Sequence, residues 1–297
     1  MGTEAQAYAD LVRTTMGTVN PVPAIVPVKL TVYTQSFTAF IGGAADKYPF
    51  IYGDVKLPGV GDSLGPTEIV GNYAKNFNTG NTKNLKQYYG YEEAYNNRKV
   101  TIPVASGKRN AFKDILEVYT KNPQTQINII GHSLGGWNSS GLVTELNKAG
   151  VPVNLLITID PVGVLLSKTT PPNILATPAV RAQIYLLAPQ PVANNWINVF
   201  CKPNNNVVTD IKNTVKWEGY KPKWKGYHPS PTSYTTDDAI ADAGGQWDSY
   251  PKEHSNTFHE TKFSHAWFSK MMRETIPSIS KSPEQILQAE LKKVQVK

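Results

Sequence analysis

A short apolar run, Ile127-Asn128-Ile129-Ile130, passes directly into Gly131-His132-Ser133-Leu134-Gly135-Gly136, and a segment of helical character, 134–149, follows. No other feature limits the fold as tightly. A β-branched run bounded by glycine reads as a buried strand. Gly-x-Ser-x-Gly between a strand and a helix is a nucleophile elbow. The chain must turn sharply there to lift the serine Oγ above the sheet edge. That turn strains the serine backbone and crowds the residues two before and two after it, where glycine removes the Cβ clash. The N–H of Leu134 then faces the space in front of Oγ and can donate to an oxyanion. The bare pattern arises readily by chance, so its weight comes from the strand before it and the helix after it. A glycine-rich turn that holds phosphate is the competing reading of the same residues.

The rest of the chain continues the alternation. Residues 28–41 are β-rich, and 53–84 read as loop. Residues 110–120 carry helical spacing that Asn122-Pro123 ends. Val153 to Ile159 reads as a second buried strand, closing at Asp160-Pro161, and 184–187 with 196–200 supply one more. Residues 266–276 read as a helix, and a polar helix follows from Pro283. Strands alternating with helices predict an α/β protein whose mostly parallel central sheet is flanked by helices. The expected organisation is an N-terminal arm over 1–27, one domain over 28–280 and a C-terminal tail over 281–297. Within the domain, 202–262 reads as an inserted, lid-like segment, too long and too polar for an ordinary loop.

Composition narrows the classes. Of 297 residues, 40% are hydrophobic and 18% charged, which suits a sizeable core and excludes a disordered chain. No apolar run is long enough to span a membrane. The first ten residues carry Glu4 and Asp10 and no apolar core, so no signal peptide is expected. Synthesis is expected in the cytoplasm, with export by a leaderless route left open. The single cysteine, Cys201, excludes an internal disulfide and a Cys-rich zinc site. The net charge of +7 concentrates in 202–229, where six lysines face Asp210 and Glu218. Across 202–250 these lysines interleave with Trp217, Tyr220, Trp224, Tyr227, Tyr234 and Trp247. Rings and ammonium groups together suit the headgroup level of an anionic membrane surface, or a lid packed on the body. They also suit stacked bases, but beside the elbow lipid is the better reading and no nucleic acid is expected.

Ile-Ile-Gly-His-Ser-Leu-Gly-Gly (129–136) and Thr-Ile-Asp-Pro-Val-Gly (158–163) resemble the lipase and phospholipase branch of the α/β-hydrolase superfamily. The resemblance covers 37–46, 127–165 and, loosely, 254–272. It implies a doubly wound sheet, a Ser–Asp–His triad in that chain order, ester or thioester substrates and no cofactor. Ser133 is then the nucleophile. The acid belongs at the carboxyl end of a strand. Asp160 stands there, and Asp210 is the alternative, one strand later. The implied order leaves His228, His254, His259 and His265 as bases. His265 fits best because it opens a late helix, and His259 is the alternative in the same polar run. His132, beside the nucleophile, is expected to point away from Oγ. The second oxyanion donor is expected from the loop after 37–41, at the N–H of Gly43 or Ala44, although the histidine of a His-Gly-Gly-Gly loop is missing.

Val164, Leu165, Leu166 and Ile174 are expected to wall an acyl pocket or to fill core. No motif for a nucleotide or a metal occurs, and the His254, His259 and His265 spacing is a poor metal signal. The implied activity is hydrolysis of lipid carboxylic esters through an acyl-enzyme. Two other readings use the same residues: an acyltransferase, or a membrane- or nucleic-acid-binding protein on an inactive scaffold. A leaderless, basic lipase-like chain would also suit a bacterial toxin, whose partner would be an immunity protein.

Overall fold

The computed structural model describes residues 32–44, 46–48, 50–51, 63–64, 66–94, 109–163, 189–201, 254–263, 265 and 267–295. In chain order these form β1 (Gln35–Ile41), β2 (Phe50–Ile51), β3 (Ser63–Leu64), α1 (Ile69–Asn76), β4 (Asn84–Tyr89) and a 3-10 turn at Tyr91–Glu93. There follow α2 (Ala111–Lys121), β5 (Thr125–His132), α3 (Leu134–Lys148), β6 (Val153–Ile159), β7 (Ala193–Cys201), β8 (Thr257–Thr261), α4 (Phe268–Arg273) and α5 (Pro283–Leu291).

Six strands make one sheet in the order β4-β1-β5-β6-β7-β8, and every pair in it is parallel. β2 and β3 form a separate antiparallel pair. All residues of β5 and β6 are buried. Burial on both faces explains why they read as continuous apolar runs. Successive side chains still alternate between two cores. Ala39, Ile41, Ile127, Ile129 and Leu156 pack with Ala111 and Ile115 of α2 and Trp137, Leu142 and Leu146 of α3. Phe40, Ile130, Leu155, Ile157 and Ile159 pack with Val70 and Tyr73 of α1, Phe268 and Met271 of α4, and Leu287 and Leu291 of α5. Helices therefore cover both faces of a parallel sheet, the α/β arrangement that the alternation of strands and helices predicts.

Local sequence sets the helix ends. The Asn110 side chain accepts from the Lys113 amide at 3.1 Å and starts α2. Ser282 and Gln285 form a capping box at α5, with Pro283 in its first turn.

Three boundaries differ from the sequence reading. α1 and the start of β4 fall inside 53–84, which reads as loop. β8 lies within the expected insertion 202–262, yet it is the edge strand of the main sheet, paired with β7 from Ile197↔Thr257 to Cys201↔Thr261. The expected tail contains α5, whose Ile286, Leu287 and Leu291 are buried in the second core. The arm 1–27, the strand at 184–187, residues 202–253 of the insertion, and Val164, Leu165, Leu166 and Ile174 lie outside the described residues. No helix among the described residues is long and apolar enough to cross a membrane.

Candidate active site

β5 ends at His132, and Ser133 follows with φ 56° and ψ −132°, a strained region for any residue with a Cβ. The strain is held by backbone bonds. The Ser133 N–H donates to the Ile159 carbonyl at 3.0 Å, and the Ser133 carbonyl accepts from Gly136 N at 2.8 Å and Val162 N at 3.0 Å. The elbow and the segment after β6 are thus stitched together. Ser133 is partly exposed, while Leu134, the first residue of α3, is buried. Its amide belongs to the first turn of a helix, where N–H groups have no intrahelical acceptor.

Asp160 follows β6 with a left-handed φ of 44°. Its side chain is fully buried. Its N–H donates to the Val199 carbonyl at 2.6 Å, and its Oδ1 accepts from the Cys201 N–H at 3.0 Å. The neighbouring strand β7 therefore orients the carboxylate. Its other oxygen, Oδ2, lies 2.5 Å from His265 Nδ1. His265 Nε2 lies 2.9 Å from Ser133 Oγ. The structure brings Ser133, His265 and Asp160 into one hydrogen-bonded chain, from strand ends and a loop more than a hundred residues apart in sequence. With Nδ1–H donated to Asp160, Nε2 is the acceptor for the serine hydroxyl.

His259 is not brought there. It lies on β8, opposite Val199, and its Nε2 is 3.2 Å from Glu274 Oε2. The same carboxylate accepts from Thr261 Oγ1. His254 is exposed. His228 and Asp210 lie outside the described residues. Among the described residues no group of His, Cys, Asp and Glu is arranged to hold a metal.

The loop after β1 reaches Ser133. A Cβ placed on Gly43 would stand 2.7 Å from Ser133 Cβ and 3.1 Å from its Oγ, so only glycine lets this backbone pass so closely. A Cβ on Gly135 would stand 2.3 Å from the Gly42 carbonyl, so the start of α3 and this loop also touch. Ala44 packs with Tyr91 and Leu134 in a small apolar cluster beside the elbow.

Asp46 fixes this loop, a role no local signal betrays. Its N–H donates to the Gly43 carbonyl at 3.2 Å, and its carbonyl accepts from Glu68 N at 2.8 Å. Its buried carboxylate accepts from Tyr88 OH at 2.6 Å, Thr67 Oγ1 at 2.9 Å and Val70 N at 3.2 Å. Burial pushes the Asp46 pKa up, and those donors pull against it. Glu93 beside it takes Lys47 Nζ at 2.5 Å, Tyr48 OH at 2.9 Å and Gly90 N at 2.8 Å. Burial, reinforced by Glu93 and opposed by Lys47, pushes Glu92 up to about 7.

His132 contacts the main chain of His265. Its Nε2 lies 2.7 Å from the backbone carbonyl of His265. Burial and then the nearby His265 push its pKa down to about 3.

No known family profile matches the chain, and no curated protein matches it in sequence. Among solved structures it is similar to a bacterial heroin esterase, at 12% identity and a TM-score of 0.30, over 80% of this chain and 88% of that one. It is also similar to a metagenomic carboxyl esterase, at 12% identity and a TM-score of 0.27, over 71% of this chain and 70% of that one.

Proposed function

We propose that the chain is a serine-dependent carboxylic ester hydrolase and that its substrates are lipid esters. The carrying observation is the chain of hydrogen bonds from Asp160 through His265 to Ser133. Ser133 Oγ attacks the ester carbonyl carbon while His265 Nε2 takes its proton. The carbonyl electrons move to the oxygen, which the N–H groups of Leu134 and of Gly43 or Ala44 stabilise. The C–O bond to the leaving alcohol then breaks, and the imidazolium returns its proton to that alkoxide. Water, deprotonated by His265, attacks the acyl-enzyme and releases the acid and the free serine. Asp160 holds His265 in the Nδ1–H tautomer and stabilises the imidazolium.

The lipid part of the reading has separate support. Lys270, five residues after His265, places its Nζ 3.7 Å above the Trp267 ring and 5.3 Å from the Phe263 ring, and these rings lie two residues after and two before His265. Rings and ammonium groups beside the base suit a lipid headgroup layer, as do the lysines and aromatics of 202–250.

The test is fluorophosphonate labelling of the purified protein, with and without anionic phospholipid vesicles, mapped by mass spectrometry. Labelling is expected at Ser133, lost in Ser133→Ala and His265→Ala and kept in His259→Ala. Folded wild type that stays unlabelled under both conditions would overturn the hydrolase reading in favour of a binding protein. Turnover of soluble short-chain esters with none on vesicles would overturn only the lipid assignment.

A further inference from the structure

Among the described residues His265 is held at three points, and only two of them belong to the reaction. Asp160 takes Nδ1, and Ser133 meets Nε2. The third is the main chain of His265, whose carbonyl lies 2.7 Å from His132 Nε2. We infer that His132 is a positioning residue, whose Nε2–H anchors the backbone of the His265 loop and so sets where the imidazole meets Ser133. The inference rests on the hydrolase reading above and extends it to a residue outside the triad.

The geometry supports it in three ways. A carbonyl can only accept, so the contact requires a proton on His132 Nε2. Only 5% of His132 is exposed, so the bond is screened from water and losing it strands a polar group. The His132 ring also lies 4.8 Å from the His265 ring and 5.4 Å from the Phe268 ring, centroid to centroid. Phe268 is the first residue of α4 and is fully buried. The same side chain therefore locks the loop from above and rests on the helix that the loop enters.

The chemistry also explains why a histidine can serve here without disturbing the base. A second titrating imidazole beside His265 would compete for the proton that the reaction moves. Burial first, and His265 second, depress the His132 pKa to about 3. His132 then remains neutral while His265 cycles between its two forms, and its donor stays in place throughout. Because His132 directly precedes the nucleophile, any shift of the elbow carries the anchor of the base with it. The two reacting groups move as one body, though they lie 132 residues apart in sequence.

The test compares variants by their rate of fluorophosphonate labelling at Ser133, resolved into reagent affinity and the first-order inactivation step. His132→Leu removes the donor at similar volume. His132→Gln places an amide N–H at nearly the same reach. His132→Asn keeps an amide that falls short. Thermal melting follows the folded fraction in parallel. Leu and Asn are expected to slow the inactivation step by about 10²-fold with little change in affinity, the cost of a misplaced reacting group. Gln is expected to recover most of that rate, although all three variants lower the melting temperature.

Wild-type inactivation by Leu or Asn would overturn the inference, as would a Gln variant as slow as Asn, since packing alone would then explain the effect. If Leu fails to fold, the Gln and Asn pair decides. An unlabelled, folded wild type would instead remove the hydrolase reading, and the inference with it.

Discussion

The two sides of Ser133 are built from different materials. On one side stand Asp160 and His265. Asp160 is oriented by the amides and carbonyls of the neighbouring strand β7, and His265 is tied to Asp160 and His132. On the other side runs the loop through Gly42, Gly43 and Ala44. It is held from beneath by Asp46, and Glu92 and Glu93 lie close by. On the first side the Asp160 carboxylate is secured by main-chain hydrogen bonds of the sheet, which do not titrate. The second depends on Asp46, a buried acid whose pKa burial pushes up. A single centre thus combines a rigid wall with a titratable one.

The comparison is open to experiment. The largest effect is expected on the rigid side. Asp160→Asn should lower kcat by about 10³–10⁴-fold with the fold intact, because the amide no longer enforces the Nδ1–H tautomer of His265. Turnover of a soluble ester, with circular dichroism as the control, checks it. Next is Gly43→Ala on the titratable side. Its methyl would stand 2.7 Å from Ser133 Cβ, so the loop must back away from the nucleophile. A loss of about 10²–10³-fold in kcat is expected, the scale of one missing oxyanion donor. A variant as active as wild type would place the donor elsewhere.

Asp46→Asn should act more weakly on the reaction and directly on stability. The amide nitrogen that replaces one carboxylate oxygen faces donors on Tyr88, Thr67 and Val70. Urea unfolding is expected to show a loss of about 1–3 kcal/mol, the cost of unmatched buried donors. A fall in kcat with KM nearly constant should accompany it, as the proposed oxyanion role of the loop it holds requires.

The smallest effect is a slope. Glu92 ionises near 4.5 in an unfolded chain and near 7 in the fold. Between those values the folded chain holds a proton that the unfolded chain has released. Its stabilising contribution is therefore complete below about pH 4.5 and is lost as pH rises to about 7. Glu92→Gln should flatten that part of the stability profile while leaving the rest in place. An unchanged profile would show that Glu92 is not the group responsible.

The elbow was legible in the sequence because its geometry demands glycine at fixed positions between a β-branched run and a helix. The buried central strands were legible for a related reason: two covered faces leave no room for polar alternation. Other elements carry no such mark. α1 is eight residues long and contains Gly71 and Asn72, so its buried stripe of Ile69, Val70, Tyr73 and Ala74 is too short to show as a period. β8 offers Thr257, Phe258, His259, Glu260 and Thr261, polar enough at a sheet edge to pass for loop. α5 looked polar because its buried residues are few, although its capping box stood in plain view at Ser282 and Gln285.

Within the candidate site, the elbow marked Ser133, and the chain order that the resemblance implies pointed to Asp160 and His265 while keeping Asp210 and His259 open. The separation of the two histidines required the sheet, which pairs His259 with Val199 and turns it toward Glu274. His132 and Asp46 were invisible as supports. Their partners at His265, Tyr88 and Thr67 are brought close only by the fold, and no spacing in the chain announces such a meeting.

The alignment of β5 with β6 has one more consequence. His132 faces Ile159 in the last pair of that ladder, so Ser133 and Asp160 each lie one residue beyond it. Their separation is a count of residues along two adjacent strands. Inserting one residue within Val153–Ile159 would turn each later side chain to the opposite face, and Asp160 would exchange the Cys201 amide for the helix layer. Such a protein could keep its size, its helices and most of its packing and still hold its carboxylate out of reach of any imidazole. In chains built this way, deletions and insertions should collect between the strands, and the strands themselves should change only by substitution.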